Sequence, residues 1–292
     1  MKFTSHSEYL SLHSVFIRPA DAAFRDQATL ANQWQELNYL SEPDLETAIE
    51  QYQRFEALLK ADAGEVFRMP GREDLTLDAL YCRDASIATD YGMILCRMGK
   101  DARHLEPGSH KEVFESMGIP ILGSIEAPGT LEGGDLAWLD TETLAVGHSY
   151  RSNASAIEQL RALLEPRGIE IVVVDLPHFR GPSDVFHLMS ILSPVDRDLA
   201  VVYSPLMPVS FRNNLLDRGF HLVEVPEAEF DTLGSNVLAT APRQCILAAG
   251  NPQTEAALRQ AGCSVKTYEG GEISLKGGGG PTCLTRPYHR RF

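Results

Sequence analysis

Five polar residues recur along this chain at nearly even intervals: Asp84, Asp135, His187, Asn236 and Cys283 are separated by 51, 52, 49 and 47 residues. A cysteine thiolate is the strongest nucleophile a protein offers near neutral pH. A histidine beside it stabilises the thiolate and moves protons. Carboxylates raise the pKa of a thiol, so acids sharing its pocket point to a cationic substrate. A guanidinium suits them, being planar, permanently charged and matched by carboxylates in paired hydrogen bonds. The implied chemistry is covalent attack on a positively charged carbon centre. GGGGPTC, residues 277–283, places four glycines ahead of the cysteine. The expectation is that a backbone without side chains lets the substrate approach the sulfur closely.

The elements that must position these residues follow from the pattern around them. DASIATDYGMILCR, GDLAWLDTETLAVGH, HLMSILSPVDRDLAVVY and NVLATAPRQCILAAG each set two apolar runs on either side of a polar turn, and each reads as a β-hairpin. The helical or mixed segments HKEVFESMG, SNASAIEQLRALLEPRG, FRNNLLDRG and NPQTEAALRQAG come next, all closing on glycine. A further strand then follows, as in IPILGSI, EIVVVDL, FHLVEVP and CSVKTYE. PTCLTRP begins a fifth unit, and SVFIRP near the N-terminus is expected to supply its remaining strand. A period near fifty with strands and helices mixed in each unit predicts a closed ring of five, in which equivalent positions converge on one central pocket.

Composition sets the context. With 292 residues, 43% hydrophobic and 23% charged, the chain reads as an ordinary soluble protein, taken here as a single catalytic domain over 1–292. No apolar run approaches the roughly 18–20 residues of a membrane span. MKFTSHSEYLSLHSVF has no continuous apolar core and makes a poor signal peptide. Five widely spaced cysteines without a CxxC argue against a disulfide framework or a zinc site, so a reducing cytoplasm is expected. Cys82, Cys96, Cys245 and Cys263 read as core residues. The net charge of −14 disfavours nucleic acid and anionic membranes as partners. A homo-oligomer is compatible with all of this, and the chemistry needs no metal or organic cofactor. The acidic runs EAEFD and EPDLE read as solvated surface. DLETAIEQYQRFEALLKADAG has the spacing of an amphipathic helix, and FRDQATLANQWQ before it is expected to carry a lid loop.

The motifs LEGGD (131–135), YRSN (150–153), FHLMS (186–190) and GGGGPTCLT (277–285) resemble those of the guanidino-group-modifying superfamily. These are the pentein α/β-propeller proteins, among them dimethylarginine dimethylaminohydrolases, arginine deiminases and amidinotransferases. The resemblance runs from about Asp78 onward and implies an α/β fold of five ββαβ units around a pseudo-fivefold axis. It implies Cys283 as nucleophile, His187 as general acid and base, and Glu132 as the acid that binds the guanidinium and orients the histidine. Asp78 and Asp84 become further guanidinium-binding carboxylates, Arg97 and Arg151 hold the substrate α-carboxylate, and Tyr81 forms an aromatic wall. Asp135 and Asn236 stand behind the site, bonding backbone. Met189 lies where deiminases have an aspartate, and His-Leu-Met-Ser resembles the dimethylargininases. Arg83 before Asp84 and the glycine-rich lead into Cys283 resemble the deiminases instead. The resemblance therefore favours hydrolysis of Nω-methylated arginine to citrulline. Arginine deiminase or dihydrolase activity is the rival, followed by amidinotransfer and by a non-catalytic guanidino-compound binder.

Overall fold

A computed structural model describes residues 2–292. Each expected hairpin forms, and each gains a third strand parallel to its second. In the first unit β4 (Ser86–Thr89) pairs antiparallel with β5 (Gly92–Leu95), and β5 pairs parallel with β6 (Ile121–Ser124) after helix α4 (Glu106–Ser116). The second unit repeats this with β7 (Leu136–Trp138), β8 (Thr143–His148), α5 (Ala154–Leu164) and β9 (Glu170–Asp175). The third has β10 (Leu192–Asp196), β11 (Leu199–Val202), α6 (Val209–Asp217) and β12 (His221–Glu224). The fourth has β13 (Leu238–Ala241), β14 (Gln244–Ala248), α7 (Pro252–Gln260) and β15 (Ser264–Tyr268).

The fifth sheet joins the two ends of the chain. Strand β16 (Thr285–Arg291) runs antiparallel to β2 (Ser11–Ile17), with Thr285 opposite Ile17, and β2 runs parallel to β3 (Glu65–Arg68). The short β1 (Phe3–Thr4) borders β16 on its other edge. Between β2 and β3 lie α1 (Ala20–Phe24), α2 (Gln27–Gln33) and α3 (Leu45–Asp62). The amphipathic segment is thus the helix of the fifth unit, opened by Asp44, whose side chain accepts from the Thr47 N–H at 2.9 Å.

Every apolar core spans two neighbouring units or more, because one small sheet with one helix cannot bury its own apolar face. Ile87 and Ile94 of the first unit pack with Val146 and Leu160 of the second. Val201, Leu215 and Leu247 join the third and fourth, while Tyr52, Phe55, Tyr268 and Leu284 join the fourth and fifth. Phe16 of β2 packs with Met93 and Phe114 of the first unit. First strands meet across these cores, β16 lying against β4, β7 against β10 and β10 against β13, while β13 lies against β2, the second strand of the fifth sheet. Asp84 O accepts the Gly133 N–H at 2.8 Å, tying the start of the first sheet to that of the second. No helix among the described residues is long and apolar enough to cross a membrane.

One expectation changes and another gains a second cause. Glu229 of EAEFD is not solvated: it is buried and accepts from the Gln253 and Thr254 N–H groups at 2.7 and 2.8 Å, capping α7. The glycines before Cys283 answer to protein side chains as well, while Gly277, Gly278 and Gly279 also line the same cavity as Cys283. A Cβ on Gly277 would overlap the Tyr81 hydroxyl, one on Gly279 the Tyr81 ring, and one on Gly280 would lie 2.5 Å from Asn236 Oδ1. Gly278 has φ 77°, a left-handed conformation. Gly279→Ala is therefore expected to cost roughly 1–3 kcal/mol by overpacking. Gly108→Ala, in α4 with nothing within 4 Å of the added methyl, should gain roughly 0.4–1 kcal/mol. Urea unfolding of the two variants checks the pair; a Gly279→Ala protein as stable as wild type contradicts the packing argument.

Candidate active site

The starts of the five sheets carry the predicted residues to one place. Asp84 lies two residues before β4, His187 just ahead of the turn into β10, Asn236 two residues before β13 and Cys283 two before β16. A cavity of about 290 Å³ opens there, and its wall includes Cys283, His187, Asp84, Asp78, Tyr81 and Asn236. Arg151 and Met189 also line it.

Charge is arranged around a buried imidazole. His187 Nε2 lies 2.8 Å from Glu132 Oε2, and its Nδ1 lies 4.0 Å from Asp84 Oδ1. Burial works against its charge, but Asp135, Asp84 and the hydrogen-bonded Glu132 prevail and raise the pKa to about 9. Glu132 is 0% exposed and sits behind the histidine, outside the cavity wall. It accepts from Arg151 Nη1 at 3.0 Å and from the Lys100 N–H at 2.9 Å. Burial alone would raise its pKa; His187 and Arg151 hold it far below the ordinary carboxylate range. Its geometry is that of an orienting group for His187, and the guanidinium contact expected of it is not open from the cavity.

Asp84 accepts from the Gly134 N–H at 2.9 Å and from Arg103 Nη1 at 2.6 Å. Arg103 is buried, forms a fork with Glu106 at 2.8 Å on both arms, and donates to the Tyr81 carbonyl at 2.9 Å. Asp78 receives Lys100 Nζ at 2.6 Å, and the same ammonium donates to Leu37 O at 2.8 Å. Sequence reasoning missed both Arg103 and Lys100. They lie in the irregular connection after β5, outside the repeating positions, and nothing in their spacing marks them.

The sulfur is half-buried. Burial first, then Asp84, push the Cys283 thiol above its ordinary pKa, opposed by Asn236 and Thr282. Asn236 Nδ2 lies 3.4 Å from Sγ, while its Oδ1 accepts the Thr282 N–H at 3.0 Å. Asn236 thus reaches the sulfur itself as well as the backbone. Asp135 keeps the supporting role: fully buried, it accepts from the Leu188 N–H at 3.0 Å and from Ser149 Oγ at 2.6 Å. Tyr81 forms the expected wall, its hydroxyl donating to Ile273 O at 3.2 Å. Arg97 is not brought in: it is exposed, donates to Gly129 O at 3.1 Å and lies outside the cavity wall. The FRDQATLANQWQ segment is largely helical and contributes no residue to the cavity wall, which instead takes Leu37, Asn38 and Leu40 from just after it, with Phe179 and Arg180. Cys82, Cys96, Cys245 and Cys263 are buried core residues.

Asp84, Glu132 and His187 are close enough to share a cation. Their oxygens are already committed to Arg103, Arg151, Lys100 and Gly134, so a metal ion would have to displace built-in donors.

A sulfur, an imidazole and carboxylates gathered at the starts of five small α/β sheets place the chain in the guanidino-group-modifying pentein superfamily. Within it, residues 18–290 match the family model for N,N dimethylarginine dimethylhydrolase, eukaryotic, and the chain belongs to that family. The likeness thus extends well before Asp78, into the fifth unit. Membership makes it a hydrolase acting on carbon–nitrogen bonds. The N(G),N(G)-dimethylarginine dimethylaminohydrolase of Streptomyces coelicolor is 28% identical over 238 residues, covering 82% of this chain and 84% of that one. The arginine deiminase of Listeria welshimeri is 28% identical over 72% of this chain, which spans 61% of the deiminase's length. The dimethylarginine dimethylaminohydrolase of Pseudomonas aeruginosa, solved with citrulline, shares the fold with a TM-score of 0.74 at 23% identity, over 95% of this chain and 100% of that one.

A histidine raised from 6.5 to about 9 on folding stabilises the native chain fully below about pH 6.5, and that contribution is lost as pH climbs through 9. Thermal melts should show wild type leading His187→Gln most at pH 6, with the lead shrinking steadily up to pH 9.5. A lead that stays constant or grows with pH contradicts the imidazolium assignment.

Proposed function

We propose that the five units close into a ring as one catalytic domain, and that Cys283 at its centre hydrolyses the guanidinium carbon of an Nω-methylated arginine. The observation that carries the choice of substrate is Met189, buried on the cavity wall two residues from His187. An apolar side chain there suits methyl groups, whereas an acid facing them would be left buried without a partner. Arg83, the residue that most resembles a deiminase, turns away from the cavity and pairs with Glu8 at 2.7 Å, so it does not bear on substrate choice.

In the proposed reaction the thiol of the free protein stays largely neutral, and the arriving guanidinium favours its ionisation, the proton leaving to solvent. The sulfur bonds to the guanidinium carbon. The tetrahedral adduct then collapses, the carbon–nitrogen bond to the methylated amine breaks, and His187 gives that amine its proton. The S-thiouronium left on Cys283 remains cationic, which Asp84 and Asp78 stabilise. Water loses a proton to the now neutral His187 and adds to the same carbon. The carbon–sulfur bond breaks, the ureido product leaves, and its last proton restores the thiol. Acid–base help of this kind is worth roughly 10²–10⁴-fold. Glu132 fixes the imidazole, Arg151 receives the substrate carboxylate, and Tyr81 bounds the chain carbons. A nucleophilic free thiol suits a reducing compartment, in keeping with a cytoplasmic enzyme.

Plain arginine is the second reading, favoured by the two carboxylates Asp78 and Asp84 on the cavity wall. A panel of arginine, monomethylarginine, asymmetric dimethylarginine and agmatine, assayed for ureido product and for released amine, separates the two. Methylated substrates should turn over fastest. Cys283→Ser should retain the wild-type melting profile and lose activity by about 10⁴-fold or more. Faster turnover of arginine would move the assignment to the second reading; an active Cys283→Ser protein would remove the nucleophile.

A further inference from the structure

The side chain of Asn236 is held so that only one of its two ends can meet the sulfur. It is buried, and it stands on the cavity wall two residues before β13. Its Oδ1 accepts the Thr282 N–H at 3.0 Å and the Thr282 hydroxyl at 2.7 Å. A backbone N–H can only donate, so the amide oxygen is fixed on the Thr282 side and the NH2 group on the other. That group, Nδ2, lies 3.4 Å from Cys283 Sγ. The Thr282 hydroxyl is 3.9 Å from the same sulfur, but its one proton is spent on Asn236.

The loop that carries Asn236 is tied on both sides. The Asn236 N–H donates to Leu233 O at 3.0 Å, closing a turn in which Leu233 takes φ 67°. Ser235 Oγ donates to Ser190 O at 2.6 Å, and the Val237 N–H donates to Ser193 Oγ at 3.0 Å. Ser190 ends the short turn that His187 opens, so amide and imidazole are set on one frame. Yet no hydrogen bond joins His187 to Cys283 among the described residues: its Nε2 meets Glu132 at 2.8 Å and its Nδ1 faces Asp84 at 4.0 Å. Of the charged groups near the sulfur, Asp84 raises the thiol and Arg83 lowers it. Burial keeps the hydroxyls of Tyr81 and Tyr268 neutral. On the same cavity wall Lys100 is paired with Asp78, and Arg151 with Glu132 behind it. None of these groups donates to Sγ, which leaves the amide of Asn236 as its donor.

We propose that Asn236 is a catalytic residue, whose side-chain N–H donates to the thiolate of Cys283 and stabilises it for attack. The assignment rests on Cys283 being the nucleophile. A neutral thiol is a weak partner for an amide N–H, whereas a thiolate makes a charge-assisted bond with it. The amide therefore favours the ionised sulfur at the moment the guanidinium arrives, and it does so without adding a charge that would repel a cationic substrate. Thr282 completes the device: by holding Oδ1 it keeps the amide's lone pairs turned away from the developing negative charge.

The rate at which iodoacetamide alkylates the full-length protein, followed as a function of pH by the mass of the peptide containing Cys283, reads the thiolate fraction directly. Asn236→Ala should move the midpoint upward by roughly 1–2 pH units, the equivalent of one lost charge-assisted hydrogen bond, and should lower kcat/KM at neutral pH by roughly 10–100-fold. Asn236→Asp keeps an acceptor for Thr282 but turns a carboxylate oxygen to the sulfur, and its midpoint should rise further still. Should the alanine variant fail to fold, the aspartate variant decides. A residue that only supports the loop would alter stability and leave the midpoint in place, so an unchanged midpoint in a folded variant overturns the proposal. Alkylation is read without turnover, so that failure is distinct from an active Cys283→Ser protein, which would remove the nucleophile instead.

Discussion

A carboxylate sealed from water stays ionised only if cations and N–H groups surround it, and Glu132 imposes that requirement on the whole site. His187, Arg151 and the Lys100 backbone meet it. The same need repeats outward: Lys100 also neutralises Asp78, and Arg103 neutralises Asp84 while being neutralised by Glu106. The result is an alternating lattice of charge in which no member can be removed without stranding another, the situation in which breaking a buried pair is most damaging. The surrounding acids hold the imidazole protonated against burial, and burial with Asp84 pushes the Cys283 thiol above its ordinary pKa, which is the pairing the proposed reaction requires.

That lattice depends on the repetition of one small unit. Each sheet brings the start of its first strand to the same region, so residues some fifty positions apart become neighbours without any long strand or helix reaching inward. The end of the chain completes the set, because β16 must pair with β2 before Cys283 is held near Asn236 and Tyr81. The four glycines belong to that closure. Gly277, Gly279 and Gly280 let the backbone carrying the sulfur run flush against the side chains of Tyr81 and Asn236, and that contact is one part of the cavity wall.

The hairpins, their following helices and the positions that open each unit were legible because they rest on local signals: alternating apolar residues, turn residues and glycine stops. Cys283, His187, Asp84 and Asn236 were legible through their spacing alone. Arg103, Lys100 and Glu8 were not, since each acts through one side chain reaching across an irregular segment, and no periodicity records such a reach. Arg97 and Arg151 show the same limit from the other side. Both are arginines in matching motifs, yet only Arg151 turns inward, drawn by the charge of Glu132. Glu229 sits in an acidic run that reads as surface, and only the fold shows that one of its acids caps a helix 23 residues further on.

The central claim is that the sulfur of Cys283 bonds to the guanidinium carbon of its substrate. Rapid acid quench during steady turnover of dimethylarginine, followed by intact-mass and peptide-mass measurement, tests it most directly. The account predicts a fraction of the enzyme heavier by the substrate less its dimethylamine, with the added mass on the peptide containing Cys283. Product accumulating while that peptide stays unmodified, or an adduct carried by another residue, would contradict it.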